Sequence, residues 1–206
     1  RSEVGRLFSG ARTLFRGHYN ADARLLMHIT IANLPVVIAG YMGKSFVADA
    51  TRTVSFVAAT TLVFGVLLYL ADRTRAHERT IEGLTPLHAL TIGIAQIFAL
   101  LPGTSRSGIT MTMSRALGYR RVEAARFSFL ISIPTITGAG LLATMDLAAH
   151  GNMQLGLDAA VAALIAFTSA WFAMNALIHW VEKNSFAPFV IYRVALGSIL
   201  LIWLLV

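Results

Sequence analysis

The sequence predicts an all-α integral membrane protein of about five transmembrane helices plus one re-entrant helical hairpin, a single membrane domain over residues 1–206. Three observations carry that expectation. Of the 206 residues, 56% are hydrophobic and 13% charged, and the mean hydropathy is +0.68; charged residues make up roughly a quarter of an ordinary soluble domain. The apolar residues fall into stretches of about 20, the length that crosses a hydrocarbon core of about 30 Å. One further apolar region, residues 84–118, is broken at its middle by Leu101-Pro102-Gly103-Thr104-Ser105-Arg106-Ser107-Gly108-Ile109-Thr110. Cysteine is absent, which excludes a disulfide framework and a thiolate metal site. The formal charge of +7 sits in short loops between apolar stretches, a placement that fits a membrane and excludes a nucleic-acid partner.

Residues 1–17 place Val4, Leu7, Phe8, Ala11, Leu14 and Phe15 at helical spacing, with Arg6, Arg12 and Arg16 off the stripe. The pattern predicts an amphipathic helix, interfacial on an anionic membrane or packed against protein beyond this sequence. No signal peptide is read, because Arg1 opens a basic stretch. Residues 24–43 form the first span, interrupted by His28, Asn33 and Pro35, and residues 53–71 form a second. Residues 72–83 are a charged loop, and later spans fall at 126–146, 157–180 and 187–206.

The broken region begins as a helix from about Thr85 that Pro102 ends, because proline lacks an N–H and clashes with the preceding turn. A helix restarts near Ser105, and residues 109–118 are too short to span, at about 15 Å. Residues 84–118 are therefore either one crossing or a re-entrant hairpin. As a hairpin, one side gathers five basic residues from 1–24, three from 72–83, four from 115–126 and Lys183, while the other holds Lys44 and Arg52. A single crossing would divide them almost evenly, so the positive-inside bias selects the hairpin, entering from the cytoplasmic side with Arg106 near its tip. Arg193, two turns into the last helix, is expected to snorkel.

Irregular backbone at membrane depth needs a polar cavity. Free N–H groups and the positive end of a helix dipole, with a guanidinium and hydroxyls at 104, 105, 107 and 110, describe a phosphate cradle. Gly103 and Gly108 are spaced as in a P-loop, but Ile109 stands where the lysine belongs and no strand precedes it. Ser114-Arg115 resembles the signature of acid-phosphatase-type lipid phosphatases, yet Arg121 and Ala125 occupy the places of its histidine and aspartate.

A closer resemblance rests on Gln96, the run Leu101–Gly108 with Thr110, the stretch Ala125-Arg126-Phe127-Ser128-Phe129-Leu130 with Pro134, and Pro188-Phe189-Val190-Ile191-Tyr192-Arg193. In order and spacing these resemble the bacitracin-resistance family, the undecaprenyl-pyrophosphate phosphatases, over essentially the whole chain. The resemblance implies an inverted-repeat, multi-pass protein of the bacterial inner (plasma) membrane. It would hydrolyse a C55 polyprenyl diphosphate to the monophosphate, recycling the lipid carrier of cell-wall peptidoglycan synthesis. It implies a lipid substrate, a bilayer, a possible homodimer and a divalent cation (Mg or Ca). The family's glutamate-rich motif and its following serine-serine-threonine-glycine-histidine run are not in this sequence. The chain is thus read as N-terminally truncated and, alone, incomplete as an enzyme.

The ten acidic residues are Glu3, Asp22, Asp49, Asp72, Glu78, Glu82, Glu123, Asp146, Asp158 and Glu182. All are expected in loops or at helix ends, so no carboxylate pair is available beside Arg106 to ligate a divalent cation. The catalytic candidates are Arg106, Ser105 and Thr110, with Gly103, Thr104, Ser107, Gly108 and Gln96 binding substrate and no metal ligand assigned. Arg106 would clamp the diphosphate, the hydroxyls would donate to it, and Ser105 is one possible nucleophile beside an imidazole from the absent repeat. Gln96 either supports the loop or makes an ordinary interhelical bond. His28 and His88 are expected to be packing or interfacial histidines. Two alternatives remain from sequence alone, a carrier or flippase of a phosphorylated polyprenyl lipid and an inactive fragment of the enzyme.

Overall fold

The computed structural model describes residues 3–43, 53–73, 78–149 and 153–205. Eight α-helices account for most of these: α1 (Glu3–Phe15), α2 (Ala21–Met42), α3 (Val54–Arg73), α4 (Pro86–Gln96), α5 (Arg106–Ala116), α6 (Arg121–Ala149), α7 (Met153–Lys183) and α8 (Ala187–Leu205). Five of them, α2, α3, α6, α7 and α8, are long and apolar enough to cross a membrane. The protein is an all-α integral membrane protein, and the five expected spans are recovered with ends moved by up to five residues. Lys44, Asp49, Arg52 and Arg75 lie outside the described residues.

Local chemistry explains the helix ends. Asn20 caps α2 by accepting from Ala23 N at 2.8 Å, and Thr85 caps α4 by accepting from His88 N at 3.2 Å, with Pro86 in the first turn. The helix α4 tightens into a 3-10 turn over Ile97–Leu100 and stops there, two residues before Pro102. At its far end α5 closes on Gly118 (φ +92°), with Gly118 N donating to Arg115 O and Tyr119 N to Ser114 O. That pair of bonds satisfies the last carbonyls of the helix and needs a left-handed residue, which glycine supplies without strain.

Helices α4 and α5 form a hairpin that returns to its starting end. The two ends are tied by a short parallel bridge, with Arg79 N donating to Gly118 O at 3.2 Å and Arg120 N to Arg79 O at 3.1 Å. The single-crossing alternative would hold these residues a membrane thickness apart. The outgoing arm packs on α2, where Gly93 is so close to Ala32 that a Cβ would lie 2.9 Å from the Ala32 Cα. The return arm packs on α3 and α6, with Met111 in a cluster with Leu68, Ala125, Val181, Phe186 and Val190. A second cluster joins α2, α4 and α6 through Leu25, Ile29, Ala89, Ile92, Phe127 and Ile131. Small residues at such contacts are what lets helices approach where lipid offers no competing hydrophobic drive.

One end of the bundle gathers the ionic contacts. Asp72 is buried, and its Oδ1 accepts from Arg115 Nε at 3.0 Å and Arg121 Nε at 2.7 Å, while its Oδ2 accepts from Phe186 N at 3.1 Å. Glu123 accepts from Ile81 N at 3.2 Å, and Arg24 donates to Glu82 O at 2.9 Å. The carboxyl ends of α3, α5 and α7 and the amino ends of α2, α6 and α8 therefore meet at the hairpin base. Amphipathic α1 lies against α2, with Arg6 paired to Asp22 at 3.1 Å and Leu7 packed on the α2/α4/α6 cluster.

Candidate functional site

The break between the hairpin arms lies deep in the bundle. Thr60 of α3 bonds it at a point twelve residues from Asp72, or about 18 Å along the helix. Two consecutive carbonyls are held from the side. Thr60 Oγ1 donates to Pro102 O at 2.6 Å, Thr61 Oγ1 to Gly103 O at 3.3 Å, and Arg193 Nη2 to the same Gly103 oxygen at 2.8 Å. Gly103 has φ +88°, and a Cβ there would stand 2.5 Å from Val57 O and 2.9 Å from Thr61 Oγ1. Glycine is required twice over, for its conformation and for its size.

Ser105 caps α5 by accepting from Gly108 N at 3.2 Å, and it holds φ +66°, the one positive φ outside glycine among the described residues. A serine in that region costs of order 1–3 kcal/mol, and such strain concentrates at binding and catalytic positions. The cap uses the serine lone pair, so its O–H remains free to donate. Beyond it, α5 presents the Arg106 and Ser107 amides and its positive dipole end to whatever faces the tip.

The sequence-predicted residues divide between two flanks of this tip. Gly103, Ser105, Ser107 and Gly108 line a cavity of about 340 Å³ together with Thr61, Tyr192 and Arg193. Arg106 and Thr110, one turn apart, share the flank toward α6, where Thr110 meets Ser128 at 2.7 Å. The Thr110 hydroxyl also donates to the Arg106 and Ser107 carbonyls, and its residue is 1% exposed. Thr110 therefore supports the first turn of α5 from behind. Arg106 is half-buried, and its Nη1 is enclosed with no hydrogen-bond partner among the described residues. Thr104 is fully buried with its Oγ1 equally unpartnered.

Gln96 stands away from the cavity. It donates to Asn33 Oδ1 at 3.4 Å, an oxygen that also accepts from Thr135 Oγ1 at 2.6 Å, and its own Oε1 is buried without a partner. Of the two expected readings of Gln96, the interhelical bond is the one seen. His88 lies at the hairpin base, its Nδ1 2.8 Å from Tyr119 Oη and its Nε2 accepting from Arg79 at 3.1 Å. With Nε2 accepting, the ring proton sits on Nδ1 and is donated to Tyr119 Oη, while burial raises that phenol above its ordinary pKa.

Arg193 corrects the sequence reading. It is 9% exposed, so it does not snorkel; it turns inward to the tip, with Nε also directed at Thr61 O at 3.4 Å. The inward turn is possible because Gly65 of α3 faces it, the built Cβ there lying 3.2 Å from Arg193 Cβ. Ser128 was legible only as part of the stretch that carries the family resemblance.

The described residues offer no set that fits a divalent cation. No group of three or more His, Asp or Glu stands together among the described residues, and Asp72 is committed at the base to two arginines and an amide.

A sequence profile of the family described as bacitracin resistance protein BacA matches residues 1–199. A protein of Alteromonas mediterranea named undecaprenyl-diphosphatase is 42% identical over 202 residues, covering 98% of this chain and 76% of that protein. One of the same name from Roseobacter denitrificans is 42% identical over 204 residues, with the same coverage of each. A third, from Alcanivorax borkumensis, is 43% identical over 191 residues, covering 90% of this chain and 70% of its own length.

Proposed function

The chain belongs to the bacitracin resistance protein BacA family, and from that premise we propose that it is an undecaprenyl-diphosphatase, hydrolysing the C55 diphosphate to its monophosphate. The observation that carries the reading at the level of residues is the enclosed, unpartnered Nη1 of Arg106 at the amino end of α5. A buried guanidinium donor without a protein acceptor calls for an anion.

In the reaction, water adds to the terminal phosphorus, the bond from that phosphorus to the bridging oxygen breaks, and polyprenyl monophosphate and inorganic phosphate leave. Arg106 holds the terminal phosphoryl and takes up charge as it develops on the phosphoryl oxygens. Ser105 and Ser107 donate O–H bonds, and the first amides of α5 donate N–H bonds. Thr104 closes the tip from within, while Thr110 and Gln96 fix the arms that carry it. Gly103 and Gly108 let backbone and Arg193 approach closely. The membrane concerned is the bacterial inner membrane, with the hairpin base on its cytoplasmic face.

The test is phosphate release from undecaprenyl diphosphate by protein expressed from its complete reading frame and reconstituted in vesicles. One phosphate per lipid, with the monophosphate left intact, is expected. Transbilayer movement of the lipid without phosphate release would make it a carrier instead.

A further inference from the structure

Arg193 and the apolar part of the cavity beside it take no part in the hydrolytic step. The residue is buried, at 9% exposure; its guanidinium pairs with no carboxylate among the described residues and spends Nη2 and Nε on two carbonyls. Its Nη1 lies over the amino end of α5, 2.9 Å from where a Gly108 Cβ would stand. It is therefore an uncompensated cation aimed at the flank of the tip opposite Arg106.

The cavity that begins at Arg193 and Ser107 continues between apolar walls that include Leu177, Phe186, Phe189 and Leu196. Its outer lining is exposed, Phe189 at 41% and Leu196 at 36%. Helices α7 and α8 scarcely touch each other, and the cavity lies between them and against α3 and α5. A site with a cation at its inner end, apolar walls and an exposed outer lining matches an anionic head carried on a hydrocarbon chain.

We propose that the diphosphate lies across the amino end of α5 with its lipid-bearing phosphoryl on the Arg193 side. The cavity between α7 and α8 then seats the first isoprene units, and the terminal phosphoryl points to Arg106. This rests on the phosphatase reading and adds the orientation of its substrate. It follows that Arg193 also holds the monophosphate product, whereas Arg106 loses its ligand once the terminal phosphate has gone.

The experiment is photolabelling with a farnesyl chain bearing a benzophenone and ending in a non-hydrolysable methylene bisphosphonate, on the full protein in vesicles. Cross-links at α7 and α8 near Leu177 and Phe189 are expected; cross-links confined to α2, α4 or α6 would overturn the proposal. In competition, Arg193→Gln should weaken farnesyl monophosphate about tenfold while Arg106→Gln leaves it within about threefold; the reverse ranking would overturn the orientation. Because Arg193 also steadies Gly103, Leu177→Trp is the second variant, filling the cavity without touching the tip. It should weaken farnesyl diphosphate about tenfold and leave inorganic pyrophosphate unchanged; equal effects on both, or none, would refute the seat for the chain. Labelling needs no turnover, so label in the cavity without phosphate release would sink the phosphatase reading alone.

Discussion

Replacing Asp72 by alanine should be among the most damaging single changes in this protein. The carboxylate joins α3 to the return arm of the hairpin through Arg115, to α6 through Arg121, and to the α7–α8 turn through the Phe186 amide. The Asp72 and Arg115 side chains are 7% and 6% exposed, so removing the acid leaves a buried guanidinium short of its counter-charge. Breaking a buried pair from one side costs about 3–5 kcal/mol. Asp72→Asn keeps two acceptor lone pairs and should fall between wild type and alanine. Arg121 is 34% exposed at its side chain, and its loss should cost about 1 kcal/mol or less. Denaturant titration in micelles, followed by circular dichroism, reads the three values; on the alanine variant the melting temperature should fall by roughly 6–20 °C. An Asp72→Ala cost below about 1 kcal/mol, or equal to that of Arg121→Ala, would show that water already compensates these charges and that the cluster does not hold the base.

Single cysteines at Glu82 and Arg120 should be labelled by impermeant reagents from the same, cytoplasmic, face, since the two segments are hydrogen-bonded through Arg79; labelling from opposite faces would defeat the hairpin. Arg106→Lys should lower phosphate release on the order of 10³-fold, because an ammonium cannot make the planar two-pronged contact with phosphate; a variant within about threefold of wild type would leave Arg106 a mere point charge. Gly103→Ala should destabilise by about 1–3 kcal/mol from its positive φ alone, with the collisions against Val57 O and Thr61 Oγ1 adding to that. Ser105→Gly should be neutral or stabilising because it releases φ +66° while capping almost as well, whereas Ser105→Ala should cost about 1 kcal/mol; the opposite order in denaturant midpoints would mean the positive φ carries no strain.

What could be read along the chain was what is local. Proline at 102, the short second arm and the lopsided distribution of loop arginines are facts of composition and spacing, and they suffice for five spans and a hairpin. The stop before Pro102 and the restart near Ser105 follow from neighbouring residues, and the structure places them within a residue or two of expectation, at Leu100 and Arg106. The contacts that steady the break are of another kind. Thr60 and Thr61 are each 42 residues from the carbonyl they bond, and Arg193 is 90 residues from Gly103. Threonines in an apolar span ordinarily bond their own helix, as both of these also do, so nothing local marks them as tip supports.

Arg193 shows why the second half of the site stayed hidden. An arginine two turns into a terminal span has a cheap escape to the interface, and snorkelling is the default for such a residue. What closes that escape is on another helix. Gly65 leaves a gap on α3 where the Arg193 stem enters, and Gly197, one turn on, brings α8 so close that a Cβ there would lie 3.1 Å from Ala58 O. With α3 and α8 drawn together, the guanidinium meets the Gly103 and Thr61 carbonyls before it meets water, and hydrogen bonds replace hydration. The two glycines are therefore as much a part of the cation's placement as the arginine itself. A bulkier residue at 65, such as valine, should return Arg193 toward the interface and unfasten the tip while leaving every tip residue unchanged.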